Sequence, residues 1–368
     1  MIGEWKHSSL GEVLTLQRGF DLPHRRRRPG VVPIISSAGP TDTHDIAAVP
    51  GPGVVTGRYG TIGEVFFVEN SFWPLNTTLY VRDFKGNDPL FISYLLRTID
   101  FASYSGKSGV PGVNRNDLHG LMVTTPEPCE QRAISAVLSD VDALIDALDR
   151  LIAKRREVKL ATTHQLLTCA VRLPGFTGKW RSHYLGSGID LFSGQHVLAR
   201  FCNSEGKGWP YLTGPADFPD GQIRRDSFTT KPATLCKAGD VLVTVKGSGS
   251  GALIQADGTY CISRQLMAIR VRDWDAQFIY YSLCHGGDRI KAASTGLIPG
   301  LSRGDILGQP IQIPPMDEQL AIVTTISDAD AEINALERLR KKETAIKQGM
   351  LQQLLSGRTR IAQPETVA

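Results

Sequence analysis

The sequence has few of the residue groupings that mark disulfide-rich, zinc-binding or membrane proteins. Its six cysteines are scattered and form no C-x-x-C pair, whereas structural zinc sites and disulfide frameworks have closely spaced cysteines. No run approaches the roughly 18 consecutive apolar residues that a membrane helix needs, and the first residues, MIGEWKHSSLGEV, lack the apolar core of a signal peptide. We therefore expect a cytoplasmic protein with free thiols and no contact with a membrane.

Motifs of the common enzyme classes are also missing. The eight histidines show no H-E-x-x-H or other metal-ligand spacing, and no G-x-S-x-G nucleophile turn occurs. The segment SGKSG (105–109) resembles a phosphate-binding loop, but Phe101 stands where that motif requires glycine. The segment GSGSG (247–251) is followed by ALIQADGTY, which predicts strand and turn instead of the helix that a nucleotide loop opens. The sequence therefore predicts a non-catalytic chain that itself binds no metal or cofactor.

What the sequence does contain is the composition of an ordinary folded protein. Hydrophobic residues make up 41% of the chain and charged residues 21%, which is typical of globular proteins and not of disordered ones. A length of 368 residues suffices for two or three domains. The formal net charge of +4 is mildly basic, and such a charge permits binding to nucleic acid without requiring it.

A long internal repeat organises the chain. When the sequence is shifted by 188 positions, residues 126–168 align with residues 314–356 without a gap, and 19 of the 43 pairs are identical. Ordinary residue usage gives about three identical pairs by chance. Near the N-terminus, EWKHSSLGEVLTLQRG aligns with KWRSHYLGSGIDLFSG at an offset of 175. The chain is therefore a tandem duplication, in which each copy is a globular block followed by a long helix.

The repeat predicts an α+β fold with a pseudo-two-fold internal repeat, in which the two globular blocks are similar α/β domains. The predicted segments are 1–125 (first block), 126–169 (first long helix), 170–179 (linker), 180–311 (second block), 312–357 (second long helix) and 358–368 (C-terminal tail). The linker contains Pro174 and Gly175, residues that commonly punctuate a connection. Gly357 is well placed to cap the second helix.

The two long helices predict an antiparallel coiled coil. Each carries apolar residues at spacings of three and four, in a stripe that is too narrow for a buried helix and typical of a coiled-coil seam. The predicted pairing residues are Ile134, Val141, Leu144, Leu148 and Leu151 in the first helix and Ile322, Ile326, Ile333, Leu336 and Leu339 in the second. Because about 38 residues at about 1.5 Å each form a rod of nearly 60 Å, we expect the helices to separate the two blocks. The alternative is that each helix packs against its own block.

Glycine-rich loops in both blocks carry side chains suited to DNA. A cation follows a strand at Arg58 in the first block and at Lys246 in the second, and arginine, asparagine and glutamine can pair with base edges. The run HRRRRPG (24–30) is the densest basic cluster, and we expect no counterpart for it in the second block. The candidate DNA-binding residues are Arg25, Arg26, Arg27, Arg28, Arg58, Tyr59, Asn76, Thr77, Lys107, Arg115, Lys246, Ser248, Arg264, Gln265 and Arg303. An ordinary solvated loop is the alternative for each of them.

Several phrases of the sequence resemble the specificity subunit of type I restriction-modification systems. They are EWKHSSLGEV near the start, GRYGTIGEVFF in the first block, RLPGFTGKW at the joint, and PPMDEQLAIVTTISDADAEI and LQQLLSGRTRI near the end. The order of block, long helix, block and long helix is similar as well, so the resemblance covers nearly the whole chain. It implies that the two blocks are target recognition domains, each of which reads one half of a bipartite, asymmetric target in double-stranded DNA.

The resemblance also implies partners. The paired helices would carry two methyltransferase subunits and the restriction subunits, and these partners would hold S-adenosylmethionine, ATP and Mg. Two alternatives remain: a coiled-coil interaction protein that binds no DNA, and a fusion that includes a DNA-modifying enzyme. The second alternative requires an Asn/Asp-Pro-Pro-aromatic motif, whereas the Pro-Pro pair of this chain follows Ile313 and precedes Met316.

Overall fold

The structure is a computed structural model of two compact units. It describes residues 4–104, 112–247, 249–293 and 300–361. Unit 1 comprises Met1–Arg150 and Glu337–Ala368, and unit 2 comprises Leu151–Leu336. Each long helix therefore contributes one half to each unit.

Unit 1 contains the first globular block. Its strands are β1 (Lys6–Ser9), β2 (Thr15–Arg18), β3 (Val32–Ser36), β4 (Gly39–His44), β5 (Gly53–Gly57), β6 (Val65–Val68), β7 (Trp73–Pro74), β8 (Thr78–Asp83) and β9 (Met122–Thr125). Its short helices are α1 (Leu10–Val13), α2 (Pro89–Arg97) and α3 (Arg115–His119). The first long helix, α4 (Pro128–Leu167), follows β9.

Unit 2 contains the second globular block. Its strands are β10 (Arg181–Tyr184), β11 (Ile189–Ser193), β12 (Cys202–Asn203), β13 (Trp209–Leu212), β14 (Phe228–Thr229), β15 (Leu235–Cys236), β16 (Val241–Thr244), β17 (Leu253–Gln255), β18 (Tyr260–Ile262), β19 (Leu266–Val271) and β20 (Pro310–Ile313). Its short helices are α5 (Ala276–His285), α6 (Gly287–Ala293) and α7 (Arg303–Leu307). The second long helix, α8 (Met316–Leu355), follows β20.

The two units share the strand order of two sheets, whereas the third sheet has three strands in unit 1 and five in unit 2. A two-stranded sheet pairs the first and last strands of each block, β1 with β9 and β10 with β20. An antiparallel four-stranded sheet has the order β2-β8-β5-β6 in unit 1 and β11-β19-β16-β17 in unit 2. The third sheet, β4-β3-β7 or β12-β14-β13-β18-β15, contains one parallel pair in each unit. The predicted α+β fold with an internal repeat is confirmed.

The central sheet of unit 1 is covered on both faces, which explains why β5 is buried along its whole length. Successive strand residues point to opposite faces. Val54 accordingly lies in a cluster with Phe91 of α2, while Val55 lies in a cluster with Ile35 and Phe72. The short apolar run of β5 therefore forms a strand that is buried on both faces, and not a strand with one face exposed to solvent.

The two repeats share one backbone geometry at a pair of aligned glycines, where the end of the second strand of each block lies close to a neighbouring chain segment. The Gly19 N–H donates to Thr78 O, and the Gly194 N–H donates to Leu266 O. A Cβ added to Gly19 would lie 2.2 Å from Leu75 O, and one added to Gly194 would lie 2.0 Å from a carbonyl oxygen as well. Both positions require glycine because the backbone itself fills the space of a side chain.

His119 supports β2 at an irregular point of its pairing. The register of β2 against β8 shifts between Thr15 and Leu16, and the Leu16 N–H donates to His119 Nε2 at 2.9 Å. Burial lowers the pKa of His119, and the positive charge of Arg115 lowers this pKa further. The hydrogen bond needs an unprotonated ring nitrogen, so the folded chain favours the neutral imidazole.

Parts of the two long helices pair antiparallel within each unit. The ion pairs that join them are Asp149–Arg340 and Asp142–Lys347 in unit 1, and Arg155–Glu332 and Lys159–Asp330 in unit 2. In both units the residue number rises along α4 as it falls along α8, which is the sign of an antiparallel pair. The predicted antiparallel coiled coil is confirmed, although the first turns of each helix also pack into a globular core, as with Ile134 in unit 1 and Ile322 in unit 2.

The seam between the helices differs in part from the predicted one. Of the predicted residues, Ile134, Leu148, Ile322, Ile326 and Ile333 are buried, and Val141 and Leu336 are half-buried. Leu144, Leu151 and Leu339 are 44%, 40% and 41% exposed, so their assignment to the seam is wrong. Ile152, immediately after Leu151, is 6% exposed and lies four residues after the buried Leu148.

A buried glutamate near the start of each long helix is held by an arginine that follows the other helix. In unit 1, Arg360 binds both carboxylate oxygens of Glu130, at 2.6 and 2.7 Å. In unit 2, Arg172 binds Glu318 in the same way, at 2.9 and 2.5 Å. Before these arginines, the chain leaves the helices through left-handed residues, Cys169 at φ 59° and Gly357 at φ 70°. The predicted glycine cap is confirmed, and the two arginines tie the segments after the helices to the opposite helix starts.

No helix in the described part of the chain is long and apolar enough to cross a membrane.

Candidate nucleic-acid interface

Three segments of unit 1 converge beside the end of β5. The Arg58 and Tyr59 N–H groups both donate to Thr77 O, at 2.9 and 3.2 Å. The Val113 N–H donates to Arg58 O at 3.0 Å. The Arg58 guanidinium carbon lies 4.5 Å from the centroid of the Tyr59 ring. The structure thus brings Arg58, Tyr59 and Thr77 together and presents a cation stacked on an aromatic ring, an arrangement suited to bases and phosphates.

The turn after β3 adds a residue that sequence reasoning missed. A Cβ added to Gly60 would lie 3.3 Å from Ser37 Oγ, which places Ser37 against the Arg58–Tyr59 loop. In the sequence, Ser37 is marked only by its place in a polar turn between two strands. Such a turn does not indicate which distant residues it will contact. Asn76 donates from its side-chain amide to Asp21, so this predicted site residue already has a partner in the folded chain.

Unit 2 builds the same convergence beside the end of β16. The Val245 N–H donates to Gln265 O at 2.7 Å, and the Leu301 N–H donates to Val245 O at 2.9 Å. Lys246 forms a β-bridge with Gly300, as Tyr59 does with Gly112 in unit 1. By backbone position Lys246 is therefore the equivalent of Tyr59 and not of Arg58. Lys246, Arg264 and Gln265 are exposed.

A turn that sequence reasoning missed completes this convergence in unit 2. The Asp217 carboxylate accepts from the Thr213 N–H at 2.5 Å, from the Thr213 hydroxyl at 2.7 Å and from the Gly214 N–H at 3.2 Å. A Cβ added to Gly214 would lie 2.5 Å from Gln265 Oε1. The ordered turn thus lies directly against the amide of Gln265, the side chain best suited to read an adenine edge.

The basic run of unit 1 divides into two halves. Arg27 pairs with Asp42 at 3.0 Å and Arg28 pairs with Asp45 at 2.9 Å, so these two cations are neutralised within the protein. Arg25 and Arg26 are exposed in a 3₁₀ turn. The run therefore offers two arginines to a ligand instead of four.

A counterpart of this 3₁₀ turn exists in unit 2, although the basic run itself is not repeated there. The turns are His24–Arg26 and Ala199–Phe201. They close through equivalent hydrogen bonds, Arg26 N–H to Pro23 O and Phe201 N–H to Leu198 O, both 2.9 Å. Arg200 stands where Arg25 stands in unit 1. HRR and ARF thus share backbone geometry without sharing a basic cluster.

The remaining candidates lie at the starts of short helices or outside the described chain. Arg115 begins α3 and is exposed. Arg303 begins α7, where it donates to Ser193 Oγ at 3.0 Å. Lys107 and Ser248 lie outside the described residues. No group of three His, Cys, Asp or Glu that could hold a metal ion occurs within the described ranges.

The sequence of this chain was compared with known protein families and with individual proteins. The chain matches the family model described as Type I restriction modification DNA specificity domain over residues 2–154 and 189–348. The putative type I restriction enzyme MjaX specificity subunit of Methanocaldococcus jannaschii is 25% identical over 293 residues, which cover 74% of this chain and 69% of that protein.

Two solved structures share the fold. The type I restriction-modification system S subunit from M. genitalium has a TM-score of 0.67 at 18% identity, with 96% of each chain covered. The HsdS subunit from Thermoanaerobacter tengcongensis has a TM-score of 0.51 at 22% identity, with 97% of each chain covered. Each stretch matched by the family model contains all or most of one globular block and more than half of the long helix that follows it.

Proposed function

This chain belongs to the family of type I restriction-modification DNA specificity proteins, and from that premise we propose that it reads a bipartite, asymmetric DNA target. The two target recognition domains are residues 1–125 and 180–311, and each reads one half of the target. The chain carries two methyltransferase subunits and restriction subunits on its long helices. It is itself non-catalytic, and the partners hold S-adenosylmethionine, ATP and Mg.

The observation that carries this proposal is that the loops after β5 and β16 have the same backbone geometry but different side chains. Unit 1 offers Arg58 stacked on Tyr59, beside Thr77. Unit 2 offers Lys246 beside Gln265. Because a base is distinguished by the donors and acceptors that meet its edge, equivalent loops with different donors favour two half-targets of different sequence.

Exposed apolar side chains on the long helices support the proposal of protein partners. Within unit 1, Val137 and Leu144 of α4 and Leu339 and Ile346 of α8 are 36% to 44% exposed. Val137 and Leu144 lie seven residues apart, as do Leu339 and Ile346, so each pair marks one face of its helix. Apolar residues aligned on an exposed helix face suit the docking of another helix.

The experiment is co-expression with the methyltransferase subunit, followed by sequencing of methylated positions in the host DNA. Arg58→Ala should relax or abolish one half of the methylated motif, and Lys246→Ala should affect the other half only. Lys207→Ala is the matched control, because this exposed lysine pairs with Glu205 at 2.6 Å in unit 2 and should leave the motif unchanged.

The alternatives give different results in the same material. Capture of the methyltransferase subunit without duplex binding or any methylated motif would favour the coiled-coil interaction protein. Methyl transfer by the isolated chain would favour the enzyme fusion. If both loop variants change the methylated motif in the same way, the proposal that each unit reads a different half of the target is refuted.

A further inference from the structure

The 3₁₀ turns of the two units occupy equivalent places in the chain and present arginine at the same position. Each turn follows an aligned glycine, Gly19 or Gly194, by a few residues. Arg25 is the middle residue of the turn in unit 1, and Arg200 is the middle residue in unit 2. Both arginines are exposed. The turn is therefore a shared feature of the two domains, distinct from the loops that end β5 and β16.

In unit 2 the turn is joined by a second cation on the same aromatic ring. The Arg200 guanidinium carbon lies 4.9 Å from the centroid of Phe201, and Lys231 Nζ lies 5.2 Å from it. The two segments are joined because the Thr230 N–H donates to Phe201 O at 3.0 Å. Within the second segment, the Lys231 N–H donates to Thr229 Oγ1 at 3.1 Å. The fold thus places the backbones of Arg200 and Lys231 beside the same ring.

Within the described part of the chain, the two cations of this cluster have no ion-pair partner. Other arginines of unit 2 have carboxylate partners: Arg225 pairs with Asp257 at 3.3 Å and Arg270 with Asp240 at 2.7 Å. Among the described residues no carboxylate lies within ion-pair distance of Arg200 or Lys231. Two cations near one ring make the local potential positive, so an anion placed beside them is stabilised.

We propose that Arg200, Phe201 and Lys231 form a site for the phosphodiester backbone of duplex DNA, and that Arg25 performs the same task in unit 1. This inference rests on the proposed function and deepens it by separating two kinds of contact. The loops after β5 and β16 read bases, whereas the 3₁₀ turns hold the backbone. Backbone contacts fix the position of a protein on DNA and carry no sequence information directly.

The test compares affinity and salt dependence in the complex of this chain with its methyltransferase subunit. Fluorescence anisotropy is measured across a range of NaCl concentrations, with one duplex that contains the methylated motif and one that lacks it. The double variant Arg200→Gln/Lys231→Gln should flatten the slope of log affinity against log salt by about two units, since each lost phosphate contact removes about one. The loss should be similar on both duplexes, and the methylated motif should be unchanged.

Three further variants sharpen the result. Arg25→Gln should flatten the slope by about one unit, and Lys207→Gln, which changes an ion-paired surface lysine in unit 2, should leave it unchanged. Phe201→Leu keeps an apolar residue but removes the ring that orders both cations, so its affinity should fall less than that of the double variant. The double variant, Arg25→Gln and Lys207→Gln should show the thermal midpoint of the wild type, since the changed side chains are exposed. Phe201 packs partly buried against the cluster of Val197, Tyr211 and Cys261, so the affinity of Phe201→Leu is compared at a temperature well below its own thermal midpoint.

The outcomes separate this inference from the proposed function. If the wild-type complex binds its motif and the double variant binds with the same affinity and slope, the backbone site is refuted and the proposed function stands. A changed motif in the double variant would also refute it, because the cluster would then read bases. If the wild-type complex binds no duplex, both proposals fail together.

Discussion

Replacement of Arg360 by methionine should destabilise unit 1 and leave unit 2 intact. Glu130 is 4% exposed, and the Arg360 guanidinium binds both of its carboxylate oxygens. The same guanidinium lies 5.7 Å from the ring centroid of Trp5. Arg360→Met would keep most of the contact with that ring but leave the glutamate buried without a cation.

The size of the effect follows from the burial of the pair. Loss of one partner of a buried ion pair costs about 3–5 kcal/mol of unfolding free energy. The lower end of that range applies here, because the Arg360 side chain is 27% exposed and water can reach the vacated position. For a unit of this size, a loss of about 3 kcal/mol lowers the midpoint of thermal unfolding by about 6–12 °C.

The assay is calorimetry of the full chain together with hydrogen exchange, which assigns each transition to a unit. Arg172→Met is the matched variant, because Arg172 holds the 1%-exposed Glu318 in unit 2 and should destabilise that unit instead. A second change, Glu130→Gln, should restore most of the stability lost in Arg360→Met, since the buried charge is gone. Equal loss of protection in both units from either single variant would refute the reasoning.

Three further predictions concern pH, the helix pair and the spacer. Burial holds the pKa of His119 below the ordinary value of about 6.5. The stability that His119 contributes is therefore complete above that pH and is lost as the pH falls through the folded-state pKa. His119→Gln should accordingly reduce the dependence of the unfolding free energy in urea on pH between pH 7.5 and pH 5.5. Lys347→Asp should weaken the helix pair of unit 1, and Asp142→Lys in the same chain should recover part of the loss in the same unfolding experiment, unless the two side chains do not interact in solution. One heptad can be inserted into each helix, within 149–155 of α4 and within 332–340 of α8. These insertions should lengthen the unread spacer of the methylated motif without changing its half-targets. A spacer of unchanged length would show that the helices do not set it.

The repeat and the long helices could be predicted because they depend on local patterns, but the phase of the helix seam could not. Leu144 and Leu151 are each followed by isoleucine, so α4 carries two adjacent apolar stripes with the same spacing. Either stripe satisfies the periodicity of a coiled coil. Which one is buried depends on the partner helix, and in the structure Ile152 is buried while its neighbour Leu151 is exposed.

The candidate DNA interface shows the same division between local and non-local information. Arg58 and Thr77 were predicted as site residues from loop chemistry, and their backbones meet. The ion pairs of Arg27 and Arg28 were not predicted, because their partners lie on another strand and a charge run does not reveal them. The turn that presents Arg200 was missed because its geometry is set by a backbone hydrogen bond, which almost any side chain permits.

The division of the chain between the units has a consequence for biosynthesis. Unit 1 contains the first residues of the chain and also those after Leu336, whereas unit 2 is a single continuous stretch. At about 5–20 residues per second, a ribosome needs on the order of 10–50 s to extend the chain from the first globular block to Arg360. During that interval Glu130 lacks its native partner Arg360, while all of unit 2 emerges and can fold. The first globular block is thus completed only after the second has been translated, and a stop codon that removed Arg360 would damage the first block.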